Sequence, residues 1–157
     1  MQRLSYAPAH SIRDIETAIV RTLLALQLPG VQVEPYRFQF DQAQLPTLRQ
    51  RLPAYLVAWN ESRPLALENR RHAERLHFAV ICGDKSFRRD VAAEGGVSGP
   101  GVYALVEAAR DAMHAQVVLP GLKPCVVERA YGASYANGIA ICIVDVTLDQ
   151  VRVHNHS

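Results

Sequence analysis

The chain has 157 residues, a length suited to one domain, and 49% of them are hydrophobic, enough for a single core. Its formal charge is only +2, and its basic residues are scattered apart from "NRRHAER" and "KSFRR". That argues against a dedicated nucleic-acid binder, which carries a basic stripe with interleaved aromatics, and no apolar run approaches the length of a membrane span. The opening "MQRLSYAPAHSIRD" lacks the apolar stretch of a secretory signal, so the expected setting is a reducing cytoplasm.

Residues 1–10 read as an irregular arm, with Pro8 opposing a helix. "SIRDIETAIVRTLLALQLPG" is a predicted helix. Ser11 caps its start with Asp14 three residues on, and Ile12, Ile15, Ile19, Leu23 and Leu26 recur on one face. Leu28-Pro29-Gly30 ends it. "VQVEPY" alternates as a short strand, and Pro35 implies an edge or a strand end. Residues 37–52 form a polar connection with room for one helical turn. "PAYLVAWNES" and "RLHFAVICG" are strands, expected to pair antiparallel with their connection within 60–72.

Residues 84–101 then form a long glycine-containing loop, the kind that in a compact domain is functional or disordered. A helix over 102–114 follows, burying Val102, Leu105, Val106, Ala109 and Met113. "LPGLKP" is a turn. "CVVERAY" and "GIAICIVDVTLDQVRV" are strands separated by the polar break "GASYAN". The last is long enough to be bent or carried past the sheet, with 149–157 as a C-terminal tail. This order gives an α+β fold: a largely antiparallel β-sheet with two main helices packed on one face.

The glycine-rich run ahead of the second helix poses a chemical question, since many phosphate cradles are built that way. The order here is Gly96-x-x-Gly99-x-Gly101, the reverse of the dinucleotide pattern, and no Lys-Ser or Lys-Thr pair follows. Pro100 also removes an N–H that a cradle would use. A phosphate site is therefore not expected.

Other chemistry is equally hard to assemble. Cys82, Cys125 and Cys142 lie far apart within apolar segments, which suits buried, reduced thiols better than ligands or nucleophiles. His77 alternates with apolar neighbours on a strand. His154 and His156 form an H-x-H with no third ligand nearby, while His10, His72 and His114 stand alone. Asp14, Glu16, Glu107 and Asp111 fall on helix surfaces at ordinary spacings. The expectation is a non-enzymatic domain with no catalytic residue, no metal and no cofactor.

Several pieces resemble the tail-terminator family of Mu-like phages and prophages. They are the helix "IRDIETAIVRTLLA", the strand "LPAYLVAW" and, most specifically, "FAVICGDKSFRRDVAAEGG" leading to "GVYALVEAARDAM". In that family an apolar strand leads into a long basic loop and then a helix opening Gly-x-Tyr-Ala-Leu, matched here by Gly101, Tyr103, Ala104 and Leu105. "LPGLKP" and "IAICIVDVTL" also look like their counterparts. The resemblance covers residues 12–148 and leaves "NRRHAER" and "VRVHNHS" unmatched.

The resemblance implies a structural virion protein that caps the tail tube, ends its polymerisation and joins the tail to the head connector. Its partners would be copies of itself in a ring, a hexamer in related terminators, together with the tail tube protein and the head–tail connector. Another head–tail joining adaptor, of the neck or tail-completion kind, is the alternative. Such a protein is assembled in the host cytoplasm and resides in the virion, at the head-proximal end of the tail. Genome DNA would pass through the ring without specific binding, and no membrane is involved. Loop 84–101 is the expected assembly arm, mobile in the free subunit and ordered on ring or tube contact, with Lys85, Arg88 and Arg89 meeting a partner's acidic surface. Gly95, Gly96 and Gly99 are expected to supply positive φ and close packing.

Overall fold

The structure, a computed structural model, describes residues 9–37, 45–68, 71–97 and 99–153. Helix α1 (Ile12–Leu24) starts where the sequence places it: the Ser11 hydroxyl accepts a hydrogen bond from the Asp14 N–H at 3.1 Å. Its inner stripe of Ile15, Ala18, Ile19 and Leu23 is buried. The chain then reaches β1 (Gln32–Pro35), the predicted proline-ended edge strand, which pairs in parallel with the start of β2 (Ala54–Glu68). Between them lies α2 (Leu45–Arg51). Strand β3 (Arg71–Lys85) pairs antiparallel with β2. Helices α3 (Arg89–Glu94) and α4 (Val102–Met113) follow, then the antiparallel pair β4 (Val126–Ala136) and β5 (Ile139–Val153). The five strands lie in the order β1-β2-β3-β5-β4, so β5 inserts between β3 and β4 and the fold is α+β, as expected.

Alternation along the central strands decides which face is covered. Leu76, Phe78, Val80 and Cys82 on β3, with Cys142, Val144, Val146 and Leu148 on β5, point to the side carrying α1 and α4 and form the main core. The Tyr55 hydroxyl, buried in that core, donates to the Leu105 carbonyl of α4 at 2.6 Å. Residues of opposite parity make a smaller cluster on the other face: Leu48 and Leu52 from α2 and its exit cover Ala54, Leu56 and Ile139. The rest of that second face is open, as antiparallel sheets allow.

Four boundaries differ from the sequence reading. Strands β2 and β3 run through most of the segment 60–72, so their connection is far shorter than expected. "GASYAN" is not a break: β4 continues to Ala136, and the turn is only Asn137-Gly138, both at positive φ as a tight two-residue hairpin requires. Strand β5 is not carried past the sheet. β3 accompanies it from Ile139 to Val153, so 149–153 are strand and not tail. In each case a neighbouring strand satisfies the backbone of a polar stretch, which local hydrophobicity does not report. The fourth difference is in 84–101, where α3 and a Gly96–Gly99 bridge replace a structureless loop.

Of the remaining expectations, the arm at 1–8 and the histidines His154 and His156 lie outside the described residues. Ala9 and His10 are irregular, as expected, but His10 is tied down. Its N–H donates to the Gln150 side chain at 2.9 Å, and Gln150 donates back to the His10 carbonyl at 3.1 Å.

Candidate docking surface

Segment 84–103 crosses the end of the sheet at which β3 finishes and β5 begins. It is organised by Asp84, a carboxylate only 2% exposed. One oxygen accepts from the Lys85 N–H at 2.7 Å and the other from the Gly101 N–H at 2.8 Å, joining the two ends of the segment. The negative group therefore sits at the start of α4, where unpaired N–H groups and the helix dipole favour it. That position is the one a phosphate would need, and the protein's own carboxylate fills it.

Further contacts hold the strap down. Ser86 N–H donates to the Gly138 carbonyl at 2.9 Å, and the Tyr135 hydroxyl donates to the Ser86 carbonyl at 2.7 Å. Ala92 of α3 is buried in the main core. Gly95 and Gly101 cross closely, at φ +92° and +81°, and a Cβ on Gly101 would strike the Gly95 nitrogen. Gly96 and Gly99 pair across a small turn, the Gly96 N–H donating at 3.0 Å to the Gly99 carbonyl.

The candidate residues fall on this strap with different surroundings. Lys85 is half-buried, its Nζ donating to the Arg49 carbonyl at 3.0 Å, so it holds α2 and does not reach outward. Arg88 and Arg89 are exposed; the Arg88 guanidinium pairs with its neighbour Asp90 at 3.1 Å, and Arg89 lies 5.0 Å from the Tyr135 ring centre. Of the three candidate glycines, Gly95 alone has positive φ, whereas Gly96 and Gly99 serve close packing. A Cβ on Gly99 would meet the Asp84 carboxylate at 2.7 Å. The second left-handed position is Gly101.

Sequence reasoning missed the apolar members of this surface. Phe87 is 79% exposed, Val97 fully exposed and Tyr103 more than half exposed. Phe87 is braced from one side by the Arg49 guanidinium, 4.2 Å from its ring centre, which in turn donates to the Asn137 and Gly138 carbonyls at 3.2 Å. Their signal was present as large apolar residues inside a polar, basic run, where no core periodicity calls for them.

Elsewhere the polar groups are mostly paired with one another. The open face of the sheet holds a trough of about 710 Å³ lined by Arg75, His77, Glu128, Arg129 and Asp145, among others. Its arginines are paired: Arg129 with Asp145 at 2.7 Å, and Arg75 with Asp149 at 2.9 Å. Both β2 and β4 carry two bulges, at 59–61 and 64–66 and at 127–129 and 132–134, which bend their edges. Residues from both bulged strands line the trough. His77 stands 4.0 Å from Glu61, and the His114 ring accepts from the Val127 N–H at 3.2 Å. Glu16 is buried against Arg37 at 3.2 Å, while Asp14, Glu107 and Asp111 lie on the exposed sides of their helices. Among the described residues, no three His, Cys, Asp or Glu side chains gather as a metal site would require, and no helix is long and apolar enough to cross a membrane.

These features define a one-sheet α+β domain in which, among the described residues, the most exposed large apolar side chains lie on a folded strap at one end, beside the exposed Arg88 and Arg89. Residues 11–135, including the whole strap, match the family described as Bacteriophage Mu, Gp37, and the chain belongs to that family. It is a Mu-like phage protein of the structural or morphogenesis kind. No curated protein matches the chain.

Proposed function

We propose that the chain is a tail terminator, acting as a closed ring, a hexamer, that caps the tail tube, ends its polymerisation and joins the tail to the head connector. The observation that carries this reading is the strap: Phe87, Arg88, Arg89 and Val97 are exposed on backbone anchored by Asp84, Gly101, Tyr135 and Gly138. Surface of that composition, aromatic and arginine together, is characteristic of protein contacts. Ring formation requires a heterologous contact that closes, one patch of each copy meeting a different patch of the next. A strap projecting at one end of the sheet supplies such a patch. The two sheet edges are poorer candidates, because Pro35, Pro64 and the bulges blunt them against strand addition.

The protein performs no covalent step and needs no cofactor. Genome DNA passes through the ring without specific binding; among the described residues of the open face, Arg75 and Arg129 are paired with carboxylates and not free to hold phosphates. The test is charge reversal of the exposed arginines, Arg88→Glu with Arg89→Glu, scored by the length of tubes formed with tail-tube subunits. The variant should fold and leave tubes uncapped; normal capping would overturn the role given to the strap. Wild-type protein that binds connector without limiting tube length would instead favour the neck or tail-completion adaptor.

A further inference from the structure

The main core contains a pair of thiols that the proposed function does not use. Cys82 on β3 and Cys142 on β5 are direct partners in the antiparallel register and point to the same, helix-covered face. Directly opposed residues of an antiparallel pair have Cα atoms about 4.5–5.5 Å apart, inside the window of about 4.4–6.8 Å that a disulfide spans. The third thiol is excluded. Cys125 precedes Val126, which pairs with Thr147, five residues along β5 from Cys142, or about 17 Å at ~3.4 Å per residue.

We propose that Cys82 and Cys142 form an oxidative modification site, reduced during assembly and closed to a cross-strand disulfide by a small disulfide oxidant once the particle leaves the cytoplasm. All three cysteines are free thiols here, the state expected in a reducing compartment. Cys142 is the point of entry, being 8% exposed where Cys82 is fully buried. Its thiolate attacks one sulfur of the oxidant, forming a mixed disulfide and releasing one small thiolate. The Cys82 thiolate then attacks the Cys142 sulfur, forming the protein S–S bond and expelling the second small thiolate. Two protein thiols are oxidised, one small disulfide is reduced to two thiols, and the two protein protons end on the released sulfurs. Burial raises the pKa of both thiols, Cys82 the more strongly, so the exchange is slow near neutral pH and faster in mild alkali.

The site lies between the two central strands, where a covalent tie adds to the ladder joining the first half of the chain to the second. This inference stands apart from the ring reading, because its test uses the isolated, full-length chain. Folded protein is incubated with glutathione disulfide at about pH 8.5, quenched with acid and denatured, and its thiols are counted. The expected result is a fall from three free thiols to one, a mass lower by two hydrogens, and a peptide joining Cys82 to Cys142. The thermal midpoint should rise by about 5 °C or more. The Cys142→Ala variant should form no intramolecular link and show no such rise. Retention of all three thiols, a glutathione adduct that never resolves, or a linkage through Cys125 would each overturn the proposal.

Discussion

Asp84 is the residue on which the candidate surface turns, and its role is energetic as well as geometric. A buried carboxylate is costly unless its oxygens are used, and here both are, by backbone N–H groups at 2.7 and 2.8 Å. Asp84→Ala should therefore lower unfolding stability by about 3 kcal/mol in a denaturant titration, because the Gly101 N–H is left buried without an acceptor. Asp84→Asn keeps one acceptor oxygen and should cost less. The core thiols make a second claim at this scale. Burial pushes the Cys125 thiol up to about 11 from its ordinary value of 9.0. The unfolded chain then releases that proton first as pH rises, so the native state binds more protons between the two values. Stability should be flat below pH ~8 and fall by up to about 1.4 kcal/mol per pH unit per thiol from ~9 towards 11. The buried Cys82 and Tyr55, both shifted upward by burial, act in the same direction. Denaturant midpoints at a series of pH values check this, and a stability that rose through that range would contradict the burial of these groups.

The elements differ in how far the sequence announces them. Helix α1 was legible because Ser11, Asp14 and the isoleucine stripe make one consistent local statement, and Ser11→Ala should cost about 1 kcal/mol. Helix α4 was legible from the same periodicity. The second half of β2 and the start of β3 were not, because polar residues such as Arg63 and Glu74 form strand only when neighbours complete the ladder. The strap was hidden for a related reason. α3 has just six residues, its N-cap Arg88 makes no side-chain capping bond, and Ala92 anchors it through tertiary burial. Nor does a string of glycines say which of them turn left-handed; that follows from the crossing of Gly95 and Gly101. Gly101→Ala should destabilise the fold by at least about 2 kcal/mol, since the added methyl meets backbone that cannot rotate away. Thermal melting of the variant beside a Gly132→Ala control, where a Cβ meets open space, separates this effect from a general loss of glycine.

At the scale of the whole molecule, the domain presents one helix-covered face, one largely open face and an end capped by the strap. Among the described residues, the last combines exposed aromatic, aliphatic and arginine side chains on anchored backbone. Reversing Arg88 and Arg89 removes only the exposed Asp90 pair and the Tyr135 ring contact among the described residues, so stability should change by less than about 1 kcal/mol while assembly is lost. Contacts made by those arginines should also weaken with added salt, as exposed charges do over a Debye length of about 8–10 Å. The most direct measurement is electron microscopy of tubes polymerised from tail-tube subunits with and without the purified protein. The account predicts rings seated on one end of each tube and a narrow, concentration-dependent length distribution. Bare tube ends and unlimited growth in the presence of folded protein would contradict it.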